Sequence, residues 1–144
     1  MRQSNLRPEV VEFIPERLNE GTIYISRRYR TASHLCCCGC GLEVVTPLNP
    51  AKWRLTEHPD GDISLRPSIG NWGFPCQSHY FLRKNRIEWA GALSPQKVAA
   101  VQAADLRDTA TLAKASWSRR ARLGEIMART WSGFMAAIKK ALGG

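Results

Sequence analysis

The side chains best suited to chemistry lie in two short runs, Cys36-Cys37-Cys38-Gly39-Cys40-Gly41 and Cys76-Gln77-Ser78-His79. They hold all five cysteines of the chain and one of its three histidines. Cysteines this close in sequence do not readily meet disulfide geometry. Thiolates with an imidazole are instead the donors that zinc takes in a tetrahedral structural site. Cys76 and His79 have the short spacing that lets two side chains of one turn grip the same ion. The first run completes the set in either of two ways. Cys37-x-x-Cys40-Gly41 has the spacing of a zinc knuckle, whereas Cys36, Cys38 and Cys40 would face the same way on an extended segment. Six candidates for about four places leave at least one bystander. Zinc ranks above a set of small buried hydrophobes and above an iron–sulfur cluster, which four crowded thiolates would strain. A structural zinc contributes on the order of 10 kcal/mol at neutral pH, enough to hold a small domain folded.

These runs need a scaffold, and residues 1–93 read as short strands and turns. Residues 10–14 form a short apolar run closed by Pro15, which suits an edge strand. Ile23 and Ile25 share one face of a half-buried strand over 22–26. Residues 42–46 continue the cysteine run as a strand stopped by Pro47. Trp53 with Leu55, and Ile63 with Leu65, mark a hairpin about the turn residues of 58–62. Residues 67–75 read as a loop leading into Cys76. A second hairpin, 80–82 with 87–89, turns at Lys84-Asn85. The composition changes at Ser94-Pro95, a helix start with serine as the cap and proline at the first helical position. One Ala-rich helix is expected to about Asp108 or beyond. A second is expected to carry an apolar stripe through Leu123, Ile126, Met127, Trp131, Phe134, Met135, Ile138 and Leu142. The expected fold is therefore α+β: a small antiparallel β-rich zinc-binding domain, 1–93, followed by two C-terminal helices in a basic extension, 94–144.

The net charge of +9 favours anionic partners, without choosing among nucleic acid, an acidic protein face and a membrane surface. Most of the excess lies in residues 94–144, with nine Lys and Arg against three acids. No run approaches the length of a membrane span. The first twenty residues, rich in Arg and Glu, do not read as a secretory signal. The expected location is cytoplasmic, where clustered thiols bind metal more often than they cross-link.

Beyond the ligands, one order of motifs stands out: Cys-x-Cys-Gly-Cys-Gly, a Trp-Arg-Leu strand, Ser64-Leu-Arg-Pro-Ser-Ile-Gly-Asn-Trp72, Cys-x-Ser-His-Tyr and a Trp-Ala strand end. Over roughly 33–90 the chain resembles a small bacterial metal-binding family of unassigned function. Its genes often neighbour those of ubiquitin-like conjugation, including ThiF-type activating-enzyme-like and conjugating-enzyme-like proteins, with links to anti-phage defence. Carried over by position, the resemblance implies Cys36, Cys38, Cys40, Cys76 and His79 as metal candidates. Position 37 is more often proline in that family, so Cys37 becomes the bystander, and the bet moves to Cys38 and Cys40 with Cys76 and His79.

Three readings follow. The leading one is a zinc-stabilised accessory or interaction protein of a bacterial ubiquitin-like modification pathway. Its partners would be a ubiquitin-like modifier or its activating and conjugating enzymes. The second is a zinc-dependent hydrolase that trims or removes a modifier, with Glu43 as base and Ser78, Ser68 or Asn71 as polar aids. That reading lacks a His-Glu-x-x-His signature, and catalytic zinc keeps one coordination place open. The third is nucleic-acid binding through Arg27, Arg28 and Arg30 beside Tyr24 and Tyr29, and through Arg119, Arg120, Arg122 and Arg129. Whether the chain is an enzyme stays open, with the lean toward a non-catalytic module. His34 is close enough to the cysteines to support a ligand, and His58 is expected to be exposed in a turn. Trp72 and Trp89 read as packing anchors.

Overall fold

The computed structural model describes residues 1–49, 52–115 and 117. The chain divides into two compact units, Met1–Val98 and Ala99–Gly144. The first contains eight strands: β1 Arg7–Val11, β2 Thr22–Ser26, β3 Thr31–Leu35, β4 Glu43–Pro47, β5 Arg54–Glu57, β6 Ile63–Gly70, β7 His79–Arg83 and β8 Arg86–Trp89. They form two four-stranded sheets in plain sequence order, β1-β2-β3-β4 and β5-β6-β7-β8.

Turn chemistry explains most of the order. The β5–β6 hairpin closes through His58 N–H to Asp62 O and Gly61 N–H to His58 O. Lys84 and Asn85, the two residues between β7 and β8, both have positive φ, 45° and 62°. That is the twist a two-residue hairpin needs. Among the described residues, only β1 departs from antiparallel pairing: it runs parallel to β2, Arg7 opposite Thr22 and Val11 opposite Ser26. Residues 12–21 carry the chain back to the starting end, the long crossover that a parallel pair requires.

Alternation along the strands buries one face of each sheet. Ile23, Ile25, Ala32 and Val44 from the first sheet join Ile63, Leu65, Ile69, Tyr80, Leu82 and Ile87 from the second in one core. The N-terminal segment ties the sheets together. Asn5 bridges to Arg86 beside β8, Leu6 is fully buried, and the next residues become β1. β2 is buried along its whole length, where half-burial was expected. Strand β3 was not expected at all, and β6 runs to Gly70, through the first part of the expected 67–75 loop.

A helix over residues 95–115 begins where expected. The Ser94 carbonyl accepts from Val98 N–H at 3.0 Å, and its hydroxyl accepts from Lys97 N–H at 3.4 Å. The helix passes Asp108, and the expected second helix lies outside the described residues. No described helix is long and apolar enough to cross a membrane.

Candidate functional site

Residues 36–42 connect β3 to β4. The loop is closed by Cys36 N–H to Leu42 O at 2.8 Å and Gly39 N–H to Cys36 O at 3.0 Å. It is a tight turn over residues 37–40, not an extended segment. Gly39 takes φ 85°, and a Cβ there would lie 2.6 Å from the Met1 nitrogen, so only glycine fits. The turn gathers Cys36, Cys38 and Cys40 with Cys76 from the segment before β7, all four sulfurs within 4.8 Å of one another. Cys37 points into the core instead and is fully buried.

The sulfur spacings are those of a metal site. Cys36 lies 3.4 Å from Cys38 and 3.9 Å from Cys76, and Cys40 lies 3.8 Å from Cys76. All far exceed the roughly 2.05 Å of a disulfide. A tetrahedron with zinc–sulfur arms of about 2.3 Å has edges of about 3.8 Å. The four thiols are therefore disposed to hold a metal ion. Without one, desolvation raises Cys36 and takes Cys38 up to about 12, while Cys76 is brought down to about 7. At Cys76 desolvation pushes upward but is outweighed by hydrogen bonds from the Ser78 backbone and side chain. A bound cation deprotonates the thiols it coordinates.

Behind the cluster runs a buried polar chain. Ser78 Oγ sits 3.1 Å from Cys36 Sγ and accepts from Asn71 Nδ2 at 2.8 Å. Asn71 Nδ2 also lies 3.5 Å from the Tyr80 hydroxyl, which meets His34 Nε2 at 2.9 Å. Burial lowers His34 to about 4, so it is neutral at physiological pH. His34 thus supports the cluster only at a distance, through this chain. Ser78 and Asn71 belong to the same chain. Glu43 is exposed at the start of β4.

His79 stands outside the four-sulfur group. It opens β7, and its Nε2 lies 2.9 Å from the Ser68 hydroxyl. Its Nδ1 faces the Gly91 carbonyl at 3.4 Å. With the proton on Nδ1, donated to that carbonyl, Nε2 is left as an acceptor for the serine proton. Ser68 owes its position to an irregularity in β6. Leu65 pairs with Leu82 and Ile69 with Tyr80, so four steps on β6 answer two on β7. Such bulges arch a strand and re-aim its side chains, and they recur beside active sites. Trp72 packs against the His79 ring at 5.0 Å between centroids, and the Phe81 ring lies 6.0 Å from it. Trp72 folds back this far because Gly70 has no side chain: a Cβ there would lie 2.5 Å from the indole.

The pair lies between two depressions. One, of about 270 Å³, is lined by Cys38, Trp72, Cys76, His79 and Trp89 among others. The other, of about 490 Å³, includes Ser68, Arg54, Arg66, Phe81 and Arg83. A hydroxyl facing an imidazole nitrogen, with the second nitrogen held by an acceptor, is the arrangement that activates a serine as a nucleophile. Spacing alone did not reveal it, because Ser68 and His79 are eleven residues apart with no local motif. His58 resembles it superficially. Its Nε2 lies 2.8 Å from Ser64 Oγ, but that hydroxyl also accepts from Lys84 N–H and serves the hairpin turn.

A family model described as "Bacterial ubiquitination-like system serine protease (BubE)" matches residues 10–90, more than half of the chain. The matched span contains the whole cysteine cluster together with Ser68 and His79. No curated protein and no solved structure matches the chain.

Proposed function

Since the chain belongs to the BubE family of bacterial ubiquitination-like system serine proteases, we propose that it is a serine protease with Ser68 as nucleophile and His79 as general base. The observation that carries this reading is the 2.9 Å contact between Ser68 Oγ and His79 Nε2. Ser68 attacks the carbonyl of a peptide or isopeptide bond while His79 Nε2 takes its proton. The protonated imidazole then gives that proton to the departing amine, leaving an acyl-enzyme on Ser68. Water, deprotonated by the same nitrogen, releases the acid and restores the serine. The Gly91 carbonyl holds the ring by its Nδ1–H, the role a carboxylate plays in a three-residue system. The substrate class is a polypeptide conjugate or precursor of a ubiquitin-like modifier. A part in anti-phage defence belongs to the same proposal and rests on the resemblance.

This reading moves catalysis away from the metal. Cys36, Cys38, Cys40 and Cys76 would hold zinc as a closed four-thiolate site, the pattern of structural zinc. When bound, the ion supplies a cross-link between the β3–β4 loop and the segment that precedes His79. His79 itself, a metal candidate by spacing and by resemblance, is assigned to the serine.

A fluorophosphonate probe tests the assignment, because it forms a covalent adduct only with an activated serine. Mass spectrometry should place one adduct on Ser68, and His79→Ala should slow labelling by on the order of 10³-fold or more. Ser68→Ala should keep the circular dichroism spectrum and lose the adduct. A folded wild-type chain that never labels at Ser68 would overturn the reading.

A further inference from the structure

The depression beside Ser68 has a composition that folding does not explain. Arg54 on β5 and Arg66 on β6 are direct cross-strand partners, and both are exposed. Like charges placed opposite one another on a ladder destabilise it. No ion pair to either arginine forms among the described residues. Arg83 lies on the same wall, with its guanidinium 5.0 Å from the Phe81 ring centroid. Its one carboxylate contact is Glu88, at 3.3 Å and half exposed, worth little in water. Lys52 adds a fourth basic residue to the lining. Basic side chains thus line the depression together with the Phe81 ring, and Ser68 is part of the same lining.

We propose that this depression is the subsite for an acidic stretch of the polypeptide substrate, whose carboxylates bind Arg54, Arg66 and Arg83 while its backbone passes over Phe81. The proposal rests on the serine-protease reading for the identity of the bond presented to Ser68. Charge complementarity favours the occupant. Guanidinium groups form forked hydrogen bonds with carboxylates, and an anion seated between Arg54 and Arg66 relieves their repulsion. Geometry sets the distance along the substrate. Arg66 is two residues from Ser68 on the arched part of β6, so the two lie no more than two extended steps of roughly 3.3 Å apart along the strand. The preferred acidic residues therefore lie about two or three positions from the scissile bond. A polypeptide is favoured over nucleic acid because the depression is continuous with a site built for acyl chemistry.

The test uses the full chain carrying Ser68→Ala, so that binding is read without turnover. Three fluorescently labelled Ala-based peptides of equal length carry Glu, Gln or Lys at the same positions, and anisotropy gives their affinities. The Glu peptide should bind at least about tenfold tighter than the other two, with the advantage shrinking as salt rises. Arg54→Gln with Arg66→Gln should remove most of that advantage, and Arg54→Glu with Arg66→Glu should reverse it toward the Lys peptide. Arg107→Glu, on the helix over 95–115, should leave it unchanged. The proposal falls if Arg107→Glu weakens Glu-peptide binding as much as the double variants do, since overall charge would then suffice. It also falls if the Gln peptide binds as tightly as the Glu peptide. Displacement of the Glu peptide by oligothymidylate at lower concentration than unlabelled Glu peptide would identify a nucleic-acid groove and overturn it too. Fluorophosphonate labelling of the wild-type chain reads the serine separately. Labelling without acidic preference refutes this subsite alone, whereas acidic preference without labelling supports the subsite and refutes the protease reading.

Discussion

The cysteine cluster and the Ser68–His79 pair share one four-residue segment, 76–79, yet they are built on different principles. Cys76 at one end closes the four-sulfur group, and His79 at the other faces the serine. The cluster draws three members from a single turn and needs only one distant partner. The serine–histidine pair has no local member set, and it exists because a bulged strand and its neighbour bring two residues into register. The cluster sits against a buried polar chain, whereas the pair lies on the solvent face of the second sheet between two depressions. Under the proposed function the two regions divide the labour. A metal ion would staple the segment at one end, and the chemistry would use the side chain held in place at the other.

Removing the metal gives the largest expected effect. A structural zinc contributes on the order of 10 kcal/mol, so chelation or Cys76→Ser should lower the melting temperature by more than about 10 °C. Labelling of Ser68 should fall in parallel, because His79 loses its anchored segment. Cys37→Ala removes a thiol outside the group and should keep one metal per chain by elemental analysis. Retention of full labelling after complete metal loss would break the proposed coupling.

Acidification probes the polar chain behind the cluster. Burial takes His34 down to about 4 in the folded protein, from its ordinary 6.5. Below pH 6.5 the unfolded chain gains a proton that the folded one refuses, so stability is present above 6.5 and is lost as pH falls toward 4. The loss from this one group approaches about 3 kcal/mol. Denaturant midpoints of the wild type and His34→Gln across that window isolate it, since protonation of the thiolates is common to both. Parallel curves for the two proteins would show that His34 is not buried as a neutral ring.

The smallest expected effect concerns the packing around His79. Gly70→Ala would drive a methyl group into the Trp72 indole, which packs on His79. Displacing that ring should slow Ser68 labelling by about tenfold, since small misplacements of a catalytic group are costly. Metal content should not change. An unaltered labelling rate would mean that Trp72 does not position His79.

The strands that alternate cleanly were legible in the sequence. Ile23 with Ile25, Ile63 with Leu65, and the turns at 58–62 and Lys84-Asn85 fall where pattern and turn chemistry place them. Strand β3, Thr-Ala-Ser-His-Leu, was not legible, because two of its three buried positions, Ser33 and His34, are polar, and His34 finds its partner, Tyr80, only across the fold. Pro67 suggested a loop where β6 instead bulges and continues.

Composition and local spacing alone determined that thiols lie close together in this chain, as a metal site needs, because four cysteines within five positions cannot be far apart in any fold. They also determined a small β-rich unit followed by a helix. Which four thiols converge was a tertiary decision. The turn at Gly39 sends Cys37 inward and leaves Cys36 beside Cys76. The pairing of Ser68 with His79, and of Arg54 with Arg66 beside it, was decided in the same way, by the register of β5, β6 and β7. Register is a property of paired strands, so no single strand's sequence carries it.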